Sequence, residues 1–421
     1  MKTIIIAATL CLPASLVGTQ AAAQNAAQDV PPLAALEPLE NTHPQADAMI
    51  ELGRQLFFDT RLSGDSSTSR AECHDPRFGF GDAAELSRGY PGTAHWRNSQ
   101  TVVNAAYLTE GFHWDGTVPS LVHQVSGAMG ASVVANIDEA MAEERIRQID
   151  AYVDQFQQIW QKEPSMTEIA EAIAAFEHTL TSTDSPFDAF VRGEAPLSDK
   201  AGRGYFLFMG KANCIACHNG ALATDQQFHN TSVPPNPTFA EDPMAQITFR
   251  VMMRSFGISE NIYNMFNRDP GRFLATKDPA DLGQLRTAPL RYLKYTALYM
   301  HNGIFYTLEE VVDFYDQGGT PDRYGTKSPL IQPLGLTDTE KADLVAFLES
   351  MSGTEITTDY PELPDYKARA FPEIRVVFGD GPPPMDATTR QAGPAPAAGA
   401  LSSGAGGKST SGGLTIRPSG G

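Results

Sequence analysis

Four cysteines in 421 residues, Cys11, Cys73, Cys214 and Cys217, are too few for a disulfide scaffold. An uninterrupted apolar run long enough to span a bilayer is also missing. The best candidate, at the start of the chain, is short and broken by Pro13. Basic residues are scarce as well: 31 Lys and Arg stand against 50 Asp and Glu, a net charge of −19. That balance argues against nucleic acid or an anionic membrane surface as partner, and it suits a soluble protein that meets basic proteins. There is no alternation of strand-like and helix-like segments, so a βαβ architecture is not expected.

The two ends of the chain differ from its body. Residues 1–23 read as a secretory signal, with Lys2 as the charged start, "TIIIAATLCLPASLVG" as the apolar run and Ala21-Ala22-Ala23 as the cleavage site. Export and removal of Cys11 follow. Residues 24–45 read as a linker. Residues 373–421, rich in Gly, Pro, Ala and Ser from Gly379 onward, have too few large apolar side chains to fold and are expected to form a disordered tail. The body between reads as helical. "SMTEIAEAIAAFEHTL" carries a capping box, Ser165 with Glu168, then Ile169, Ile173, Phe176 and Leu180 on one face. "LTDTEKADLVAFLESMSG" repeats the device with Thr337 and Glu340 and is expected to stop at Gly353. "IDEAMAEERIRQIDAYVDQFQQIW" reads as one more amphipathic run. A boundary near "TSTDSPFDAFVRGEAPLSDKA" divides the body into residues 46–190 and 191–372.

"ANCIACHNG" contains a complete C-x-x-C-H, formed by Cys214, Cys217 and His218. Two thiols at this spacing add across the haem vinyl groups, and the adjacent histidine presents Nε2 to the iron. A redox dithiol or half a zinc site would use the same cysteines, but zinc needs further Cys or His ligands nearby. "STSRAECHDPRFGFGD" ends the same motif correctly, with Cys73 and His74, yet places Arg70 where the first cysteine belongs.

Taken in order, "LGRQLFFDTRLSGDSSTSRAECHDPRFGFGD", "HWRNSQTVVNAAY", "FHWDG", "GKANCIACHNG", "LRYLKYTALYMHNGIFYTLEEVVDFYDQGG" and "SPLIQPLGLTDTEKADLVAFLESMSG" resemble the bacterial di-haem cytochrome c peroxidase/MauG family over residues 46 to 353. The resemblance implies a mainly α fold of two cytochrome c-like haem domains joined by long loops, with one haem c in each, in the periplasm. It implies His74 as ligand of the N-terminal, peroxide-reactive haem and His218 as ligand of the C-terminal, electron-transfer haem. The sixth ligand of the second haem falls fourteen residues past His301, at Tyr315. Methionine there marks the peroxidase-type members and tyrosine the MauG type. A packing tyrosine on the face of Leu308, Val311 and Val312 is the competing reading of Tyr315, and Met300 is the rival ligand. Trp114 matches the tryptophan between the haems, and Gln124 matches a glutamine of the distal pocket. Asn98, Thr296 and the carbonyl of Leu298 match an inter-haem Ca2+ site.

Two departures stand out. Arg70 removes one thioether, and its guanidinium is expected to bind a haem propionate or to lie in solvent. The distal glutamate of the family is replaced by Val134, ten residues past Gln124. Such a carboxylate serves as general acid/base in peroxide cleavage, a role that contributes roughly 10²–10⁴-fold. Asp138 or Glu139 could substitute for it only after a loop rearrangement, His113 and His123 read as structural or solvated, and no catalytic acid is assigned. The resulting expectation is a MauG-like enzyme that uses hydrogen peroxide to oxidise a protein partner, with Trp114 coupling the haems. The alternatives are an electron-transfer cytochrome with a degenerate N-terminal site and a peroxide-removing peroxidase served by an electron-donor protein.

Overall fold

Capping chemistry sets where several of the longer helices begin. The computed structural model describes residues 30–40, 43, 46–321 and 324–367. The expected signal segment and the tail lie outside the described residues. The fold is mainly α. Helices of nine or more residues are α1 (Ala46–Phe58), α2 (Leu121–Gly130), α3 (Glu139–Arg147), α4 (Asp150–Trp160), α5 (Met166–His178), α6 (Asp199–Met209), α7 (Pro243–Ser255), α8 (Leu308–Asp316) and α9 (Asp338–Ser350). Two pairs of two-residue strands, β1 (Arg88–Gly89) with β2 (Thr93–Ala94) and β3 (Phe228–His229) with β4 (Leu285–Arg286), are both antiparallel.

Three local expectations need correction. The Thr337–Glu340 capping box closes, but α9 already ends at Ser350, ahead of Gly353. Ser165 does precede α5, yet its hydroxyl donates to the Glu168 carboxylate instead of accepting a backbone N–H, and Glu168 also takes Lys162 Nζ at 2.6 Å. The run from Ile137 to Trp160 is two helices. Gln148 ends α3 and Ile149, fully buried with an extended backbone, redirects the chain into α4.

Close helix crossings position the two halves of the site. A Cβ on Gly53 of α1 would lie 1.8 Å from the Ala172 carbonyl oxygen of α5. One on Gly204 of α6 would lie 2.0 Å from the Asp343 carbonyl oxygen of α9. Glycine is required at both crossings because nothing larger lets the backbones meet. Arg203 clamps the second crossing through two 2.7 Å hydrogen bonds to Asp343. One apolar cluster gathers around α1, α4 and α5, with Leu52, Phe57, Phe156 and Ile169 fully buried. Another gathers around α6, α8 and α9, with Phe208, Phe347 and Met351. A third joins Trp96 to Phe249 and Met253 of α7. The face read from the sequence of α5 is buried, as are Leu344, Phe347, Leu348 and Met351 on and just past α9.

The same backbone devices recur in both halves. His74 N donates to the Arg70 carbonyl at 3.0 Å, and His218 N donates to the Cys214 carbonyl at 2.8 Å. Phe112 bridges Val118 just as Tyr299 bridges Phe305. The second residue of each loop, His113 (φ 66°) or Met300 (φ 71°), is left-handed. Ser120 then caps α2 and Thr307 caps α8. In this register Trp114 pairs with His301, Gln124 with Val311, and Ala128 with Tyr315.

Candidate functional site: a cavity between two haem-attachment turns

A cavity of about 720 Å³ runs through the chain. Arg70, Cys73 and His74 line it, and so do Cys214, Cys217 and His218. Both histidines are oriented in the same way. His74 Nδ1 lies 3.3 Å from the Phe80 carbonyl and His218 Nδ1 lies 3.1 Å from the Ala223 carbonyl. Each carbonyl fixes the proton on Nδ1 and leaves Nε2 with its lone pair, the arrangement of a metal-ligating imidazole with an oriented second nitrogen. Burial keeps both rings neutral, pushing His74 down to about 3 and lowering His218. The three cysteines are free. Burial raises Cys73 to about 11 and Cys214 to about 12, so these thiols are protonated. Large apolar lining, free thiols and neutral histidines fit two covalently attached haems.

Arg70 does not lie in solvent, and its ion-pair partner is a protein side chain. Its Nε donates to the Glu177 carboxylate of α5, which is fully buried, and its Nη2 donates to Gln124 Oε1 at 2.6 Å. Gln124 Nε2 lies 3.3 Å from His113 Nε2. Burial pulls His113 down to about 4, so this ring is also neutral. His113 Nδ1 lies 3.4 Å from the Thr117 hydroxyl, which donates in turn to Asp115 at 2.8 Å. Asp115 pairs with Arg97 at 2.7 Å, and Arg97 also pairs with Asp269 at 2.5 Å. Val134 lines the cavity beside Ala131 and Ala135. Asp138 caps α3 and is exposed, as is Glu139; neither lines the cavity, so neither replaces the absent carboxylate there. His123 is exposed and bonds the Ser120 hydroxyl, a local role.

On the other side, Leu308, Val311, Val312 and Tyr315 of α8 all line the cavity. The face read as a packing stripe is therefore also the wall of the site. Burial, reinforced by the nearby Cys214 and Cys217 sulfurs, raises the Tyr315 phenol well above its ordinary range. Met300 lines the same cavity. Trp114 does too, with its ring edge-on to His301 at 6.4 Å and its Nε1 donating to the Asn98 carbonyl at 3.2 Å. Asn98, Thr296 and Leu298 also line the cavity. Cys217, Asp225 and His229 lie close enough to share a metal, with ligand atoms within 4.8 Å. Cys217 is already the second cysteine of the complete haem motif, so this cluster belongs to the same site.

A family model for di-haem cytochrome c peroxidase matches residues 47–196. A cytochrome-c peroxidase, IdrP1, of Denitromonas iodatirespirans is 46% identical over 372 residues, covering 86% of this chain and 97% of that protein. The chain belongs to the di-haem cytochrome c peroxidase/MauG family. The cytochrome c551 peroxidase of Pseudomonas aeruginosa is 32% identical over 325 residues, 76% of this chain and 83% of that one. A crystal structure of a MauG-like protein associated with microbial copper homeostasis superposes with a TM-score of 0.63 at 28% identity, over 77% of this chain and 95% of that one. The protein is thus a haem peroxidase-type oxidoreductase whose family uses a pair of c-type haems and peroxide as oxidant. A non-enzymatic carrier gives way to this assignment. No helix among the described residues is long and apolar enough to cross a membrane.

Three residues that lie in the cavity wall or bond to it carry little signal in the sequence. Glu177 is an acid on a helix whose other residues are mostly buried, which is a detectable signal. His113 reads from the sequence as structural or solvated, although its loop repeats that of Met300. Ala128 is silent in sequence and gains meaning only as the counterpart of Tyr315.

Proposed function

We propose that this is an exported di-haem enzyme in which hydrogen peroxide reacts on the His74 side and electrons are drawn from a docked protein. Each haem supplies an iron that exchanges electrons with peroxide or with its partner haem. The chain's residues decide which side does which. In this reading His218 and Tyr315 would both hold the C-terminal haem, which would keep exogenous ligands off it. A phenolate donor favours ferric and higher states, and the iron's own charge offsets the burial that raises the phenol. His74 holds the N-terminal haem, which is attached by one thioether through Cys73.

The observation that carries the reading is the pairing of Tyr315 with Ala128 in the repeated loop–helix unit. Both line the cavity. A methyl group at Ala128 cannot ligate, so a haem held by His74 would meet no ligand from this place and peroxide could bind there. Cyanide titration of the ferric protein tests this: the proposal expects one equivalent bound per chain, and two equivalents would overturn it. Trp114 is proposed to couple the sides. Residues 46–190 and 191–372 are proposed as the two haem domains, and Asn98, Thr296 and the Leu298 carbonyl as a Ca2+ site. Asn98 Nδ2 donates to the Ala84 carbonyl at 2.6 Å, which leaves Oδ1 as the hard oxygen donor that Ca2+ takes.

The docked protein is either a substrate oxidised on a side chain such as tryptophan, as in a MauG-like scheme, or a small electron donor. The 46% identity to a named cytochrome-c peroxidase favours the donor. A net charge of −19 favours a basic one, whose approach it would steer. Steady-state oxidation of a basic reduced c-type cytochrome by peroxide, weakening as salt rises, supports the donor reading. Turnover only with a non-haem protein supports the other.

A further inference from the structure

We propose that Arg70, held by Glu177 and linked through Gln124 to His113, is the polar group that meets hydrogen peroxide on the His74 side, in place of the carboxylate missing at Val134. The proposal rests on the reading above that the N-terminal haem is present.

Arg70 lines the same cavity as His74, Gln124 and His113. Two of the five N–H donors of the guanidinium are engaged, one by Glu177 and one by Gln124. Among the described residues Nη1 has no hydrogen-bond partner, so donors remain for a small ligand. Glu177 is fully buried, and its second oxygen, Oε2, is unpaired among the described residues. Its charge therefore pins the guanidinium at Nε. On the far side the hydrogen bonds run in one direction. Arg70 donates to Gln124, Gln124 to His113 Nε2, His113 Nδ1 to Thr117, and Thr117 to Asp115. That order fixes the Gln124 amide with its oxygen towards Arg70. The cavity wall at Val134, Ala131 and Ala135 offers nothing polar in competition.

In the reaction, one hydrogen peroxide, two electrons and two protons give two waters. The O–O bond breaks and two O–H bonds form. The electrons come from the donor that peroxidase activity already requires, and the protons come from solvent. Arg70 keeps its own proton and donates hydrogen bonds to the oxygen on which negative charge grows. Preorganised donors of this kind lower the barrier because they need not reorient as charge develops. Arg70 is thus a catalytic residue, and Glu177 and Gln124 are positioning residues.

Fluoride binding to the ferric protein reads this role without turnover, because bound fluoride accepts hydrogen bonds as the departing oxygen would. Arg70→Gln combined with Glu177→Gln removes both charges and leaves no buried unpaired carboxylate. Arg70→Met combined with Glu177→Leu is the apolar alternative, a class of replacement that often preserves folding. Haem content is counted first in each protein. With two haems retained, fluoride affinity should fall by about tenfold or more, the size of a charge-assisted hydrogen bond, and the peroxide rate constant should fall with it. Unchanged fluoride affinity and peroxide rate in either two-haem variant would overturn the proposal. A wild type carrying one haem per chain would remove the site itself, and that failure shows in the haem count before any titration.

Discussion

Arg70 and Glu177, 107 residues apart in the chain, form an ion pair in which the carboxylate is fully shielded from solvent. Arg70 takes the backbone place that Cys214 takes in the complete motif, with the same bond from the histidine N–H to its carbonyl. The substitution therefore keeps the attachment turn and exchanges a thioether for a link between that turn and α5.

Restoring the cysteine alone should fail for this reason. Arg70→Cys strands the Glu177 carboxylate in the core, and breaking one side of a buried pair costs about 3–5 kcal/mol. Thermal denaturation should show the single variant strongly destabilised. Arg70→Cys with Glu177→Gln should recover most of that loss and allow a second thioether, seen as loss of the remaining vinyl signature in the pyridine haemochrome. A stable single variant would mean that Glu177 finds another partner.

Tyr315→Phe should change the low-spin ferric spectrum of the C-terminal haem, and Met300→Leu should leave it unaltered. Both residues line the cavity, so the two spectra discriminate directly between them. The opposite pattern would assign ligation to Met300.

Trp114→Phe should preserve both haem spectra and slow electron exchange between the haems. The change removes the hydrogen bond to the Asn98 carbonyl and alters the edge-on contact with His301. Flash photolysis of the mixed-valence protein gives the rate, and an unchanged rate would return Trp114 to a packing role.

Chelation with EGTA should lower the thermal midpoint, and Ca2+ should restore it in a concentration-dependent way because a ligand bound only to the folded state stabilises it by mass action. Mg2+ should restore it poorly, since it demands a tighter octahedron. A midpoint indifferent to both would remove the proposed site at Asn98, Thr296 and Leu298.

What the sequence revealed depended on how local each signal was. Helical content, the Thr337 cap and the buried face of α5 follow from spacings within one or two turns. Cys214, Cys217, His218 and the Cys73–His74 pair are equally local, so the attachment turns were legible. The partner of Arg70 was not, because nothing near residue 70 encodes a carboxylate on α5. The break at Ile149 was hidden because an apolar residue continues the amphipathic pattern while the backbone leaves the helix. His113 was passed over because its meaning lies in the fold that brings it against Gln124.

The N-terminal haem is proposed to be held by Cys73 and His74 without a first cysteine. Mass spectrometry of the denatured chain, paired with a pyridine haemochrome count on the native protein, tests it most directly. The expected result is two haems per chain by absorbance, with both retained covalently in the denatured mass. One haem per chain by both measures would contradict it.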